Sequence, residues 1–263
     1  MSYEIRCFSL PKIGELERNI QDRFEHSPDG SLVALADGAS TSLYPQKWAE
    51  ILVKSFCQSV VENPIESIQR SHEEWLQPSQ EKWRQYYLTK LQSPNRKWWQ
   101  GGSEIKNRGS ATFLGLQLQN LKHFARSQWQ AVAVGDTCLF KLEQETGNLL
   151  TFPLTAAQEF KGTTLCFESL PEYSSFPPQF IAGWYECGDI FLLATDALAQ
   201  WVLADYEAQG EDWKKMFQFQ QQHDFDSFIS KLRQQKLIKN DDTTLVLIRV
   251  SSDERLETKG VEQ

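Results

Sequence analysis

The sequence predicts an α+β fold with mostly antiparallel strands. Strand-like apolar runs stand at both ends and in the middle of the chain, at 1–10, 110–143 and 243–250. Helical periodicity falls in two blocks, one opening at Pro45 and one following Asp196. The strict strand–helix alternation of a doubly wound sheet is absent.

Residues 1–10 are expected to form a first strand, with Pro11 to Gly14 turning out of it. The polar connection ELERNIQDRFEHSPDG ends in the turn Ser27-Pro28-Asp29-Gly30 and leads to an apolar run from Leu32 to Ala36. Pro45 opens a helix that carries Trp48, Ile51, Leu52, Phe56 and Val60 on one side and ends near Asn63-Pro64. A second helical stretch is expected from about Ile65 to Leu76. Segment 70–102 is a Trp-rich helical insertion that Gln100-Gly101-Gly102-Ser103 ends. Strands follow at 110–119, 129–135 and 138–143, with Gly147-Asn148 as a tight turn. Residues 151–188, rich in Pro, Gly, Ser and Thr, read as a long loop or small subdomain of functional character. DIFLLATDAL returns to strand, and Phe225, Phe228, Ile229 and Leu232 form a helical stripe. The chain thus reads as one domain over 1–250 with a polar tail at 251–263.

What organises these elements is a recurring pattern. SLVALADGAS (31–40) is an apolar run that stops at Asp37-Gly38, AVAVGDT stops at Asp136, and DIFLLATDAL stops at Asp196. Near the end the order reverses, with Asp241 and Asp242 just before LVLIRV. Any one of these acids could be an ordinary cap or turn residue. Four strand ends carrying acids without basic partners point instead to a shared cation, and hard divalent ions such as Mg²⁺ and Mn²⁺ take oxygen ligands of this kind.

Composition narrows the function further. Net charge −8 argues against generic binding to nucleic acid or an anionic membrane. The N-terminus has no signal layout, and no apolar run approaches the length of a membrane span. Cys7, Cys57, Cys138, Cys166 and Cys187 form no CxxC pair and read as reduced core thiols of a cytoplasmic protein. Trp75, Trp83, Tyr86, Tyr87, Trp98 and Trp99 could stack bases or sugars. With an acidic chain, the favoured reading is helices anchored on a sheet by aromatic side chains. His26, His72, His123 and His223 show no ligand spacing and are expected at the surface. There is no CxxxxxR phosphatase loop, no GxSxG elbow and no GxxxxGK[ST] loop.

ALADGAS, GSATFLGL, VAVGDTCLF, FLLATDAL and DDTTLVLI, in this order, resemble the signature segments of the metal-dependent protein phosphatases (the PPM or type 2C family). The resemblance implies a four-layer α-β-β-α sandwich of two antiparallel sheets flanked by helices, with Mn²⁺ or Mg²⁺ at one edge. It also implies hydrolysis of phosphoserine and phosphothreonine in proteins by direct attack of a metal-bridging water. By the same resemblance, Asp37 is the bridging aspartate and Gly38 supplies a carbonyl ligand. Asp196 and Asp241 complete the first metal, and Asp22 lies near the second. Asp136 would hold a third, weaker ion, Gly109-Ser110-Ala111-Thr112 is a structural strand start, and 151–188 stands where the family carries its flap.

Departures from the family pattern qualify the expected activity. The family's phosphate-gripping arginine falls at Glu17 here, and Arg18 lies one residue closer. Either Arg18 serves as the grip or the grip is lost. Ala197 replaces the glycine of Thr-Asp-Gly, Asp242 stands for the usual Asn, and Ala39 replaces the eukaryotic general-acid histidine, which points to a bacterial type. The expectation is a monomeric cytoplasmic phosphatase acting on a phosphorylated protein. The alternative is a catalytically weak pseudophosphatase that serves as a binding or regulatory module.

Overall fold

The structure, a computed structural model, describes residues 1–60, 63–92, 108–121, 126–160, 164–173 and 177–252. Twelve strands are described, and ten of them form two five-stranded sheets. The first contains β1 (Ser2–Leu10), β7 (Cys138–Leu142), β8 (Leu149–Phe152), β11 (Ile190–Ala194) and β12 (Thr243–Ser251). Its order is β1-β12-β11-β7-β8, every pair antiparallel. The second contains β2 (Arg23–His26), β3 (Leu32–Ala36), β5 (Phe113–Gln119), β6 (Ser127–Val134) and β10 (Gln179–Tyr185), in the order β10-β6-β5-β3-β2. Two short strands, β4 (Ser110–Ala111) and β9 (Phe167–Glu168), pair beside it.

Three apolar clusters define the layers. Alternate residues of the two sheets, among them Leu35, Leu114, Leu116, Phe191, Val246 and Ile248, pack between them. The other faces of the second sheet, including Ala34, Phe113 and Val132, meet α1 (Pro45–Cys57), α2 (Pro64–Arg70) and α3 (His72–Leu91). The outer face of the first sheet, including Phe140, Leu192 and Leu247, meets α4 (Asp196–Glu207) and α5 (Gln222–Gln234). Period-2 alternation on strands buried on both faces explains why these strands read as continuous apolar runs. The result is the four-layer α-β-β-α sandwich.

The helices follow their predicted stripes. Trp48, Ile51, Leu52 and Phe56 of α1 are buried, each such side chain contributing about 1.5–3 kcal/mol relative to exposure. Phe225, Ile229 and Leu232 do the same for α5. Val60 leaves the α1 stripe: the helix ends at Cys57 and Val60 is fully exposed. The helix expected at 65–76 is instead two, broken at Ser71, whose hydroxyl caps α3 by accepting from the Glu74 N–H.

The aromatic stretch is an anchor. Trp83 is buried against Trp48 and Tyr86, while Trp75 packs on Phe113 and Phe167. Trp98, Trp99 and the Gln100–Ser103 stop lie outside the described residues, as does the tail beyond residue 252. His72 is not a simple surface residue, since its ring stacks on Phe167. Within segment 151–188 the described residues contribute β9 and the edge strand β10. Among the cysteines, Cys57 and Cys138 are core thiols, whereas Cys187 is exposed.

Candidate metal centre

The acids gather at one end of the sandwich, where β2 and β12 begin, β3 and β11 end, and the β6–β7 turn crosses. Each is delivered by a local device. The Asp37 N–H donates to the Thr112 hydroxyl and its carbonyl accepts from the Thr112 N–H, at 3.2 and 2.8 Å. Thr112 Oγ1 in turn lies 2.6 Å from Thr137 Oγ1, next to Asp136. The Gly-Ser-Ala-Thr strand start is thus a clamp between two of the acids.

Gly38 forms an isolated bridge with Ala111, whose two backbone bonds use Asp37 and Ala39, so neither employs the Gly38 carbonyl. A Cβ here would lie 2.6 Å from the Pro45 carbonyl carbon, so only glycine fits under the start of α1. Gly135 is similarly required, with φ +96° and the Leu165 carbonyl 2.6 Å from where its Cβ would be.

Asp22 is held by a relay. The Thr244 N–H donates to Thr195 Oγ1 at 3.0 Å, and the Thr195 hydroxyl donates to Asp22 Oδ2 at 3.1 Å. Asp241 and Asp242 have different jobs. Asp242 accepts the Lys12 and Gln21 N–H groups on its two oxygens, at 3.0 and 2.9 Å, which makes it a backbone brace. Asp241 keeps its carboxylate for the cluster, accepting the Asp242 N–H at 2.9 Å. Arg233, on α5, fixes this loop by donating to the carbonyls of Pro11 and Asp241 and to the Thr243 hydroxyl.

Electrostatics tie the acids together. Burial, then the charges of Asp22 and Asp196 and a hydrogen bond shared with Asp22, hold Asp37 well above the usual carboxylate range. Burial also raises Asp22, against the pull of its Thr244 hydrogen bond and with Asp242 adding to it. Asp196 is pushed up to about 6 by burial, Asp136 and Asp241, with Lys239 opposing. Asp136 is raised by burial, and the Thr164 hydroxyl, 2.9 Å from its Oδ2, opposes this.

Among the described residues no three His, Cys, Asp or Glu side chains converge into a ready cage for an ion. The carboxylates are within mutual electrostatic reach. Their chemistry fits a hard cation nonetheless. Asp22 Oδ1 and Asp196 Oδ1 are buried without a hydrogen-bond partner, a cost that a divalent ion would offset.

The other predicted residue behaves differently. Arg18 lies in a 3-10 turn, Glu17–Asn19, exposed, and no hydrogen bond or ion pair is described for it. The structure brings Asp22, Asp37, Gly38, Asp136, Asp196 and Asp241 to one edge, whereas among the described residues none pairs with Arg18. The flap-like segment is tethered beside the cluster. Trp48 Nε1 donates to the Phe167 carbonyl at 2.8 Å, Gln80 Nε2 donates to the Glu168 carbonyl at 3.2 Å, and Arg108 pairs with Glu168 at 3.4 Å.

Thr195, Arg233 and Lys239 were not singled out by the sequence. Thr195 stood next to an identified acid and could have been found. Nothing in the spacing of Arg233 or Lys239 marks them, because their roles arise only when α5 and the loop before β12 fold over the acids.

The profile of the protein phosphatase 2C family matches residues 17–239. No curated protein matches the chain by sequence. Among solved structures, PppA, described as a key regulatory component of T6SS in Pseudomonas aeruginosa, is 15% identical with a TM-score of 0.58, covering 95% of this chain and 98% of its own. The Mycobacterium tuberculosis serine/threonine phosphatase PstP/Ppp is 12% identical with a TM-score of 0.58, covering 96% of this chain and 100% of its own. A structure of the PstP catalytic domain in complex with 2 manganese ions is 13% identical with a TM-score of 0.57, covering 95% of this chain and 99% of that one. Such identities speak for the fold alone. The profile match over most of the length, together with this fold and the ordered acids at its edge, establishes that the chain belongs to the protein phosphatase 2C family.

Proposed function

We propose that this protein is a phosphoserine/phosphothreonine protein phosphatase that works with Mn²⁺ or Mg²⁺. The observation that carries the reading is the set of buried carboxylates whose orphaned oxygens and mutually raised pKa values call for a cation. Asp37, Asp22, Asp196, Asp241 and the Gly38 carbonyl would hold two ions, and Asp136 stands at the outer side, where the family resemblance implies a third and weaker one. Bound there, a pair of divalent ions supplies a water acidic enough to attack at neutral pH and positive charge for the phosphoryl oxygens.

The chain's own residues do the rest. The Thr112 clamp fixes the backbone of Asp37, so its carboxylate is oriented before substrate arrives. The Thr195 hydroxyl, held by the Thr244 N–H, points its proton at Asp22 and keeps that carboxylate in place. Arg18, on the loop that leads to Asp22, supplies the guanidinium that grips the phosphate. Ala39 has no proton to give, so the departing serine or threonine oxygen takes its proton from water. The flap, held by Trp48, Gln80 and Arg108, presents the surface that selects the phosphoprotein. The five free cysteines fit a reducing compartment, and we place the protein in the bacterial cytoplasm as a monomer.

Arg18, exposed and without a hydrogen bond or ion pair among the described residues, favours a second reading, a pseudophosphatase that binds without turnover. Hydrolysis of p-nitrophenyl phosphate with EDTA, Mg²⁺ or Mn²⁺ separates the two. Mn²⁺-dependent turnover that vanishes in Asp37→Asn is the expected result. Metal binding by calorimetry without turnover would leave the binding module standing, and turnover undiminished in Asp37→Asn would sink the metal assignment.

A further inference from the structure

The acid cluster pairs with a cation of its own chain. Lys239 Nζ lies 3.7 Å from Asp196 Oδ2, and its charge is also felt by Asp136. Two neighbouring arginines are committed elsewhere. Arg233 donates to Pro11, Asp241 and Thr243, and Arg23 donates to the carbonyls of Ile20 and Asp22. Among the described residues, Lys239 alone forms an ion pair with Asp196.

A loose surface pair would deserve little weight. This one differs in its acid and in its backbone. Asp196 is mostly buried, and its second oxygen has no hydrogen-bond partner, so the ammonium answers a charge that water reaches poorly. The lysine's backbone is fixed on both sides: Ile238 is buried in the outer core, and Asn240 Oδ1 accepts the Ile13 N–H at 2.8 Å. The loop thus presents the lysine to the acids.

We propose that Lys239 is a tethered counter-ion that takes the place of a divalent cation between Asp136 and Asp196, so that the protein holds two ions and not three. This rests on the metal-dependent reading above. A divalent ion bound through Asp196 Oδ2 and Asp136 would have to approach that oxygen to about 2.1 Å. The ammonium, 3.7 Å from the same oxygen, would stand against it. Asp136 is already partly answered by the Thr164 hydroxyl on its Oδ2.

The test counts ions, not turnover. Mn²⁺ binding is followed by electron paramagnetic resonance of the free ion for the wild type, Lys239→Met, Lys239→Arg and Lys239→Met/Asp136→Asn, with circular dichroism as the fold control. The expected result is one more bound ion in Lys239→Met than in the wild type, or a weakest ion tightened on the order of tenfold by removal of a screened unit charge. Lys239→Arg should match the wild type, and the double variant should lose the gain. Two ions on the wild type with an unchanged isotherm in Lys239→Met would overturn the proposal while leaving the metal-dependent reading intact. Three ions on the wild type would overturn it as well. No bound Mn²⁺ on any of the four proteins would overturn both.

Discussion

Strand β11 has an aspartate at each end, and the two have opposite surroundings. Asp189, just before the strand, is buried against Lys141 Nζ at 2.8 Å, and its oxygens accept the Gln144 and Glu186 N–H groups at 3.1 Å each. Asp196, just after the strand, faces Asp136 and Asp241, has one orphaned oxygen, and meets its lysine at 3.7 Å. The same residue type, flanking the same strand, has its charge answered at one end and left largely unanswered at the other. Burial of an acid does not mark a site. Burial without adequate partners does.

The comparison can be broken most severely at the machinery end. Asp241→Asn should lower Mn²⁺-dependent p-nitrophenyl phosphate hydrolysis by roughly a thousandfold, the scale of losing electrostatic stabilisation at the reacting group. Its circular dichroism spectrum should stay that of the wild type. Asp242→Ala, one residue on, should act as scaffold: its metal affinity per folded molecule is expected to hold. Loss of metal from Asp242→Ala with Asp241→Asn unaffected would reverse the two assignments.

At the satisfied end the expected loss is in stability. Lys141→Met leaves Asp189 buried without its cation and should cost about 3–5 kcal/mol in urea unfolding. Activity per folded molecule should not change. A smaller effect is expected at Gly38, where Gly38→Ala pushes a methyl group onto the Pro45 backbone. The cost of such overpacking is about 1–3 kcal/mol, with metal affinity falling alongside because the carbonyl is displaced.

The smallest effect sharpens the contrast through pH. Asp196 is raised from 3.8 to about 6, so the folded protein binds its proton more tightly than the unfolded chain does. That contribution to stability is fully present below about 3.8 and is lost as pH rises through about 6. In EDTA, the melting temperature should therefore fall across this interval, and Asp196→Asn should flatten the slope. A wild-type melting temperature that rises through the interval with no change in Asp196→Asn would contradict the assignment of the buried acid.

What the sequence made legible follows from burial on two faces. Central strands β3 and β11 are apolar throughout, and β5 and β12 carry long apolar runs, so these runs and the acids beside them could be read directly. β2 and β10 could not. They are the two edges of the second sheet, half-buried, with RFEH and QFIAGWY mixing polar and apolar residues. The Ser71 break between α2 and α3 was missed because helical spacing continues across it, while the cap depends on one hydroxyl. The acids were found because they sit at strand ends. Lys239 was not, because the charge that gives it a role comes from a distant stretch of chain, and Arg233 was not, because its partners Pro11, Asp241 and Thr243 meet it only once α5 packs against the loop before β12.

Asp242 joins the Lys12 and Gln21 amides, and β12 lies between β1 and β11 with Ser2 facing Ser251. The first strand therefore has no neighbour in its sheet until the last one exists. Among the described strands this is the pairing of greatest sequence separation, and its loop-closure cost makes β1 the strand expected to gain protection late in folding. A chain stopped before Thr243 should neither hold a divalent ion nor protect β1 from hydrogen exchange.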